Sequence, residues 1–147
     1  MMLASACLLG VNCAWHGGHH ANTRVLALLE AGGIVPVCPE QLGGLPTPRP
    51  PQEIAGGVGE DVLDGRCRVL TSRGEDVTGP FLRGAEETLE IARLVGATAF
   101  IAKSRSPSCG SGLVHDGSFS GTLIPGDGVT ASLLRRHGMD IVPEEDL

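Results

Sequence analysis

Met2-Leu3-Ala4-Ser5-Ala6-Cys7-Leu8-Leu9-Gly10 is the stretch on which the fold turns. Its first residues form a short apolar run that suits a buried strand, and the run stops at a cysteine followed by a glycine. The polar stretch Asn12 to His20 comes next, after which Asn22 can cap a helix that gathers Val25, Leu28 and Leu29 on one face. Gly32 stands where a left-handed helix terminus belongs, so the opening unit reads as strand then helix.

The same alternation continues outward. Ile34-Val35-Pro36-Val37 reads as a second strand, with Cys38 directly after it and a Pro/Gly-rich loop over Pro39 to Pro51. The segment Ile54 to Glu75 forms a small excursion, and Arg66-Cys67-Arg68-Val69-Leu70-Thr71 alternates like an exposed or edge strand within it. Gly79 and Pro80 open a long helix, whose stripe of Phe81, Ala85, Leu89 and Ala92 faces a core before Gly96 ends it. Thr98-Ala99-Phe100-Ile101-Ala102 is a third buried strand. After a turn-rich stretch, a last helix over about Val129 to His137 leads to a short strand, Asp140 to Val142.

Strands separated by helices at these spacings predict an α/β fold: an open, mostly parallel, Rossmann-like sheet with helices on both faces and a small peripheral β excursion. The 147 residues suit a single domain, residues 1–147. A chain of that size buries roughly 70% of its unfolded surface. With 41% hydrophobic, 19% charged and only 3% aromatic residues, aliphatic side chains must fill the interior.

A formal charge of −6 without a dense Lys/Arg run lacks the electrostatic footprint of polymeric nucleic-acid binding. No apolar run approaches the roughly 18 residues of a membrane span, and the N-terminus lacks a basic leader. The expected location is the cytoplasm. Five cysteines in a reducing compartment point to metal binding or catalysis rather than structural disulfides, against the plain alternative of small buried hydrophobes.

Position argues against that alternative. Cys7, Cys38 and Cys109 each fall at or just beyond the carboxyl end of a different predicted strand, the edge where open parallel sheets collect ligands. Thiolates are soft ligands suited to zinc, copper(I) or iron–sulfur clusters, and the close CxxC pair typical of structural zinc is absent. Three cysteines on an iron–sulfur cluster would leave one iron open to substrate. Cys13 could be a fourth ligand, a supporting thiol or a resolving cysteine, whereas Cys67 reads as inert.

Glu40, two residues after Cys38, would stand at that edge, where partial burial suits a carboxyl for acid/base work. Lys103 and Arg105 could attract an anion or polarise a carbonyl, and Ser104, Ser106 and Ser108 offer hydroxyls before Cys109. His16, His19 and His20 read as solvated loop residues because Gly17 and Gly18 interrupt them. Gly121 to Gly128 carries a weak signal for a phosphate cradle ahead of the last helix.

Ser5-Ala6-Cys7-Leu8-Leu9-Gly10, Val37-Cys38-Pro39-Glu40-Gln41-Leu42-Gly43-Gly44-Leu45-Pro46-Thr47-Pro48-Arg49, Lys103-Ser104-Arg105-Ser106-Pro107-Ser108-Cys109-Gly110 and Gly126-Asp127-Gly128-Val129-Thr130-Ala131 together resemble the DUF523 family, which includes the thiouracil desulfurases. The resemblance runs essentially from end to end. It implies a 4Fe-4S cluster held by Cys7, Cys38 and Cys109, whose open iron accepts sulfur from a thiolated pyrimidine base or nucleoside in a non-redox desulfuration. Glu40 matches the family's acid/base carboxylate and Ser104 the serine that binds or activates substrate, with Ser106, Lys103 and Trp15 expected to line the substrate site. Ala14, Trp15 and His16 stand where a basic residue, Tyr and Asp are expected, which bears on substrate choice. A non-catalytic cluster- or metal-binding module and a zinc-dependent hydrolase are the competing classes.

Overall fold

Alternation along short apolar strands decides which side chains meet which helices. The computed structural model describes residues Met1–Leu147 throughout. In chain order it comprises β1 (Met2–Ser5), α1 (Thr23–Glu30), β2 (Ile34–Val37), α2 (Pro39–Leu42), β3 (Gln52–Ala55), α3 (Gly59–Leu63), β4 (Arg68–Thr71), α4 (Thr78–Val95), β5 (Ala99–Ala102), β6 (Leu113–His115), β7 (Leu123–Pro125), α5 (Val129–Arg136) and β8 (Asp140–Pro143).

Four strands form an all-parallel sheet in the order β2-β1-β5-β8. Leu3, Val37, Phe100 and Ile141 point to one face, where they pack with Leu89 and Ala92 of α4 and Leu134 of α5. Ala4, Ile34 and Ile101 point to the other, against Val25 of α1. Adjacent residues on a strand therefore serve opposite layers, as the two-residue period requires. Helices cover both faces, as the sequence predicts.

The chain leaves β1 toward β2 with α1 on one face, then returns past β1 to β5 with α4 on the other. That reversal opens a crevice at the carboxyl ends of β1 and β5, the switch point of a doubly wound sheet. Ser5 ties the two ends together by accepting a hydrogen bond from the Lys103 amide at 3.0 Å.

The excursion is an antiparallel β3–β4 pair enclosing α3, set beside the main sheet. It has its own apolar core of Ile54, Val62 and Val69 against Phe81, Ala85 and Val129. Two features differ from the sequence expectation. The segment expected as a Pro/Gly-rich loop starts with the single turn α2, and the turn-rich stretch after Gly110 contains the β6–β7 hairpin.

Close backbone approaches fix α2 on α4. A Cβ on Gly84 would stand 1.9 Å from the Pro39 carbonyl oxygen, and one on Gly43 would stand 2.0 Å from that of Pro80. Only hydrogen fits at either position, so α2, with Cys38 at its N-cap, is seated on the long helix.

Candidate active site

Three strand ends deliver the thiols. After β1 a 3-10 turn, Ala6–Leu9, carries Cys7, and Gly10 at φ 91° ends it in the left-handed conformation open to glycine. Cys38 follows β2 directly. The loop after β5 brings in Cys109. All three line one cavity of about 400 Å³, a size usual for small-molecule sites, and Cys13 shares it. Every cysteine is free. Cys7, Cys13 and Cys109 are buried and Cys38 is half-buried.

The Cys109 loop is held by the N-terminus of α5. The amides of Val129 and Ala131 donate to the carbonyls of Pro107 and Ser108, and the Gly128 amide donates to Gly110. Asp127 accepts from the Gly112 amide and from Arg135, each at 2.9 Å. Within the segment Gly121 to Gly128 read as a phosphate cradle, the Gly126 and Gly128 amides donate to the carbonyls of Gly112 and Gly110, so its end serves to clasp this loop. Within it, the Ser106 hydroxyl accepts from the Ser108 and Cys109 amides at 3.2 and 3.1 Å.

Glu40 is buried yet fully engaged. Arg49 donates from Nε to Glu40 Oε1 at 2.9 Å, and the Ser108 hydroxyl donates to Oε2 at 2.9 Å. Because Ser108 gives its proton to Glu40, the Ser106 hydroxyl supplies the proton of the 3.0 Å contact between the two serines. Arg49 also donates to the carbonyls of Cys13 and Pro46 and to the Thr47 hydroxyl. The buried carboxylate therefore has a guanidinium partner, with most of that donor fork satisfied.

Three of the thiols, Cys13, Cys38 and Cys109, hold their protons more tightly than an ordinary thiol. Contact with Cys38 draws the Cys13 thiol down, but contact with Cys7 and burial prevail, and it stands at about 11. Cys38 is pushed well above the ordinary thiol range by the neighbouring Cys13 thiol and then by burial. Burial pushes Cys109 up to about 12, against the Ser5 and Ser108 hydroxyls, which pull it down. Buried sulfur donors of this kind bind a soft metal centre with release of protons.

The other expected residues also reach this cavity. Ser104 lines it, but its amide and hydroxyl both donate to Glu144 Oε2 at 2.7 Å. Lys103 stands 3.4 Å from Glu144 Oε1. Trp15 lines the cavity while 47% exposed, with its ring edge-on to His16, so it belongs to the rim and not to the core. His20 joins it there, although the three histidines do not gather on a common point. Cys67 lies outside the site, close to Gly57 and Asp61.

Sequence reasoning missed Arg49, Gln52, Glu53 and His115, all of which line the cavity. The signals for Arg49 were its place as the sole cation in the Pro/Gly-rich loop and as the last residue of the second family-like stretch. No helix is long and apolar enough to cross a membrane.

The chain is similar to known proteins over nearly its whole length. The chain is 47% identical over 147 residues to the uncharacterized protein YbbK of Bacillus subtilis (strain 168), covering 100% of this chain and 97% of that protein. A solved structure described as the 4Fe-4S-dependent thiouracil desulfidase TudS is similar at a TM-score of 0.87 and 40% identity, over 99% of this chain and 91% of that one. A model of the 2-thiouracil desulfurase family matches residues 2–146, so the chain belongs to the 2-thiouracil desulfurase family.

Proposed function

We propose that the chain, acting as one domain over residues 1–147, is an iron–sulfur-dependent desulfurase that replaces the sulfur of a thiolated uracil by oxygen. The observation that carries this reading is the meeting of Cys7, Cys38 and Cys109 with the Ser108–Glu40–Arg49 chain on a single cavity. Family membership and the likeness to TudS support it. The donor set fits the cofactor: three free, sheltered thiols and no hard oxygen ligand among them.

In this reading Cys7, Cys38 and Cys109 hold a 4Fe-4S cluster, and Cys13 is a supporting thiol. When bound, the cluster supplies Lewis acidity toward sulfur. Glu40 accepts a proton from the water that adds to the carbon bearing sulfur, and returns it as the carbon–sulfur bond breaks. Arg49 holds the Glu40 carboxylate in place, and Ser108 orients its second oxygen. Ser104, kept in position by Glu144, together with Ser106 and Lys103 walls the substrate, while Trp15 covers the ring at the rim. One carbon–oxygen bond forms and one carbon–sulfur bond breaks; thiocarbonyl and water become carbonyl and hydrogen sulfide with no electron acceptor. Five free cysteines suit a reducing compartment, which supports a cytoplasmic location.

Anaerobic reconstitution with iron and sulfide tests the reading. We expect near-stoichiometric cluster and hydrosulfide release from 2-thiouracil or 4-thiouridine. Cluster without release from either compound would sink the desulfurase assignment, and failure to take up iron would sink the cluster.

A further inference from the structure

Resting on the desulfurase reading, we propose that Gln52 is the residue that reads the base, its side-chain amide pairing with the ring N–H and adjoining carbonyl of a thiolated uracil. Few polar side-chain atoms in the protein are both buried and without a hydrogen-bond partner: Gln52 Nε2, His115 Nδ1 and Thr130 Oγ1. Two of the three belong to residues that line the thiol cavity. Leaving a buried polar atom unpaired costs about 1–3 kcal/mol, so two of them on one cavity wall point to a ligand that engages the site, and of the two only the Gln52 Nε2 is necessarily a donor.

The wall is built from two elements. Gln52, 7% exposed, opens β3, and His115 ends β6. The turn after β6 is locked onto β3, because the amides of Gly117 and Phe119 both donate to Glu53 Oε1, at 3.0 and 3.1 Å. A Cβ on Gly117 would lie 2.5 Å from the Ile54 carbonyl oxygen, so the hairpin and strand touch backbone to backbone. Gln52 is thus held on a rigid strand rather than on a loose loop.

An amide carries a donor and an acceptor side by side, the complement of a cyclic –NH–C(=O)– edge. In 2-thiouracil and in 4-thiouracil alike, N3–H lies between one thiocarbonyl and one carbonyl. A single amide can therefore read the N–H and carbonyl of either isomer while leaving the sulfur free. Pyrimidine-2-thione, which lacks that carbonyl, cannot satisfy it.

The test compares wild type with Gln52→Leu and with the isosteric Gln52→Glu, which keeps shape and removes the N–H donor. Both are assayed for kcat and KM on 2-thiouracil and pyrimidine-2-thione, and for uracil binding by calorimetry. Each variant should lose about 10- to 100-fold in kcat/KM on 2-thiouracil, mainly through KM, with little change on pyrimidine-2-thione. Uracil affinity should fall by a similar factor. Should Gln52→Leu not fold, Gln52→Glu alone decides. Unchanged substrate preference and unchanged uracil affinity would overturn the assignment. If wild type releases no hydrosulfide, the desulfurase reading fails separately, and calorimetry still decides: Gln52-dependent uracil binding supports the recognition role, and its absence removes it.

Discussion

Arg49 holds Glu40 at 2.9 Å through Nε and the Cys13 carbonyl at 2.9 Å through Nη2, so one guanidinium joins the site's buried carboxylate to the segment after Cys7. The pair is nearly sealed, with side chains 3% and 11% exposed. Breaking one partner of such a pair strands a charge, while removing both avoids the desolvation cost. Arg49→Met should therefore destabilise the fold by about 3–5 kcal/mol, and the double variant Arg49→Met/Glu40→Gln should recover most of that loss. Urea unfolding of wild type and the two variants checks this; equal instability in the double variant would contradict the charge argument.

Glu40→Gln alone keeps the shape and, through its amide oxygen, the contact with Arg49, while the Ser108 hydroxyl must turn to accept from the amide nitrogen and proton transfer is lost. We expect a drop in kcat of about 10²- to 10⁴-fold with iron content unchanged. Ser108→Ala, which removes the donor at 2.9 Å from Glu40, should lower kcat less, whereas Ser104→Ala should act through the contact with Glu144. Iron analysis beside steady-state assays separates these outcomes, and full activity in Glu40→Gln would remove it from the chemistry.

Cys13→Ser should retain the cluster. The backbone duties of Cys13, accepting from Arg49 and from the Cys38 thiol at 3.8 Å, run through its carbonyl and survive the change. A colourless product after reconstitution would instead make its thiol a ligand.

Gly84→Ala places a methyl where the Pro39 carbonyl already sits, at 1.9 Å. A clash between two backbones cannot be relieved by a rotamer, so the cost should be at least about 1–3 kcal/mol. Because Pro39 follows Cys38, the displaced turn should also reduce iron content. Thermal unfolding and iron analysis check both effects; normal iron content would show that α2 is not what seats Cys38.

The raised thiols predict a pH dependence. Folded Cys13 and Cys109 hold their protons to about 11 and about 12, whereas an unfolded thiol releases its proton near 9.0. Above pH 9 the unfolded chain binds fewer protons than the folded one, so stability is fully present below that pH and falls as pH rises through 11. Each such thiol contributes a slope of up to about 1.4 kcal/mol per pH unit. Metal-free protein should show this loss in urea midpoints between pH 9 and pH 11. Cluster-loaded protein, with Cys109 already deprotonated as a ligand, should lose that part of the slope and keep the part due to Cys13.

The main sheet was legible in the sequence because its strands are short apolar runs cut off by turn residues: Met2 to Ala6, Ile34 to Val37 and Thr98 to Ala102 each end beside a reactive loop. The cysteines were legible for the same reason, since position at a strand end needs no knowledge of packing. What stayed hidden depends on long-range contact. Arg49 becomes a partner of Glu40 only when the Pro-rich loop folds back, and Ser108, in the loop after β5, reaches Glu40, in the turn after β2, across the carboxyl end of β1. Gln52 sits in a strand without an apolar pattern, and the α2 turn is too short to show helical periodicity. The close fit of Gly43 and Gly84 leaves no trace beyond two glycines among 22.

β1 lies far ahead of β5 in the sequence, yet the two are neighbours in the interior of the sheet, so β1 waits for this partner until β5 has been synthesised. On the ribosome Cys7 therefore emerges long before Cys109 can reach it, and an unprotected thiol waits through most of translation. Native pairing of distant parallel strands is slow to form. Whatever Cys7 and Cys109 hold in common can therefore be assembled only after β5 has paired with β1, so the cavity is a product of completed folding and not of any local segment.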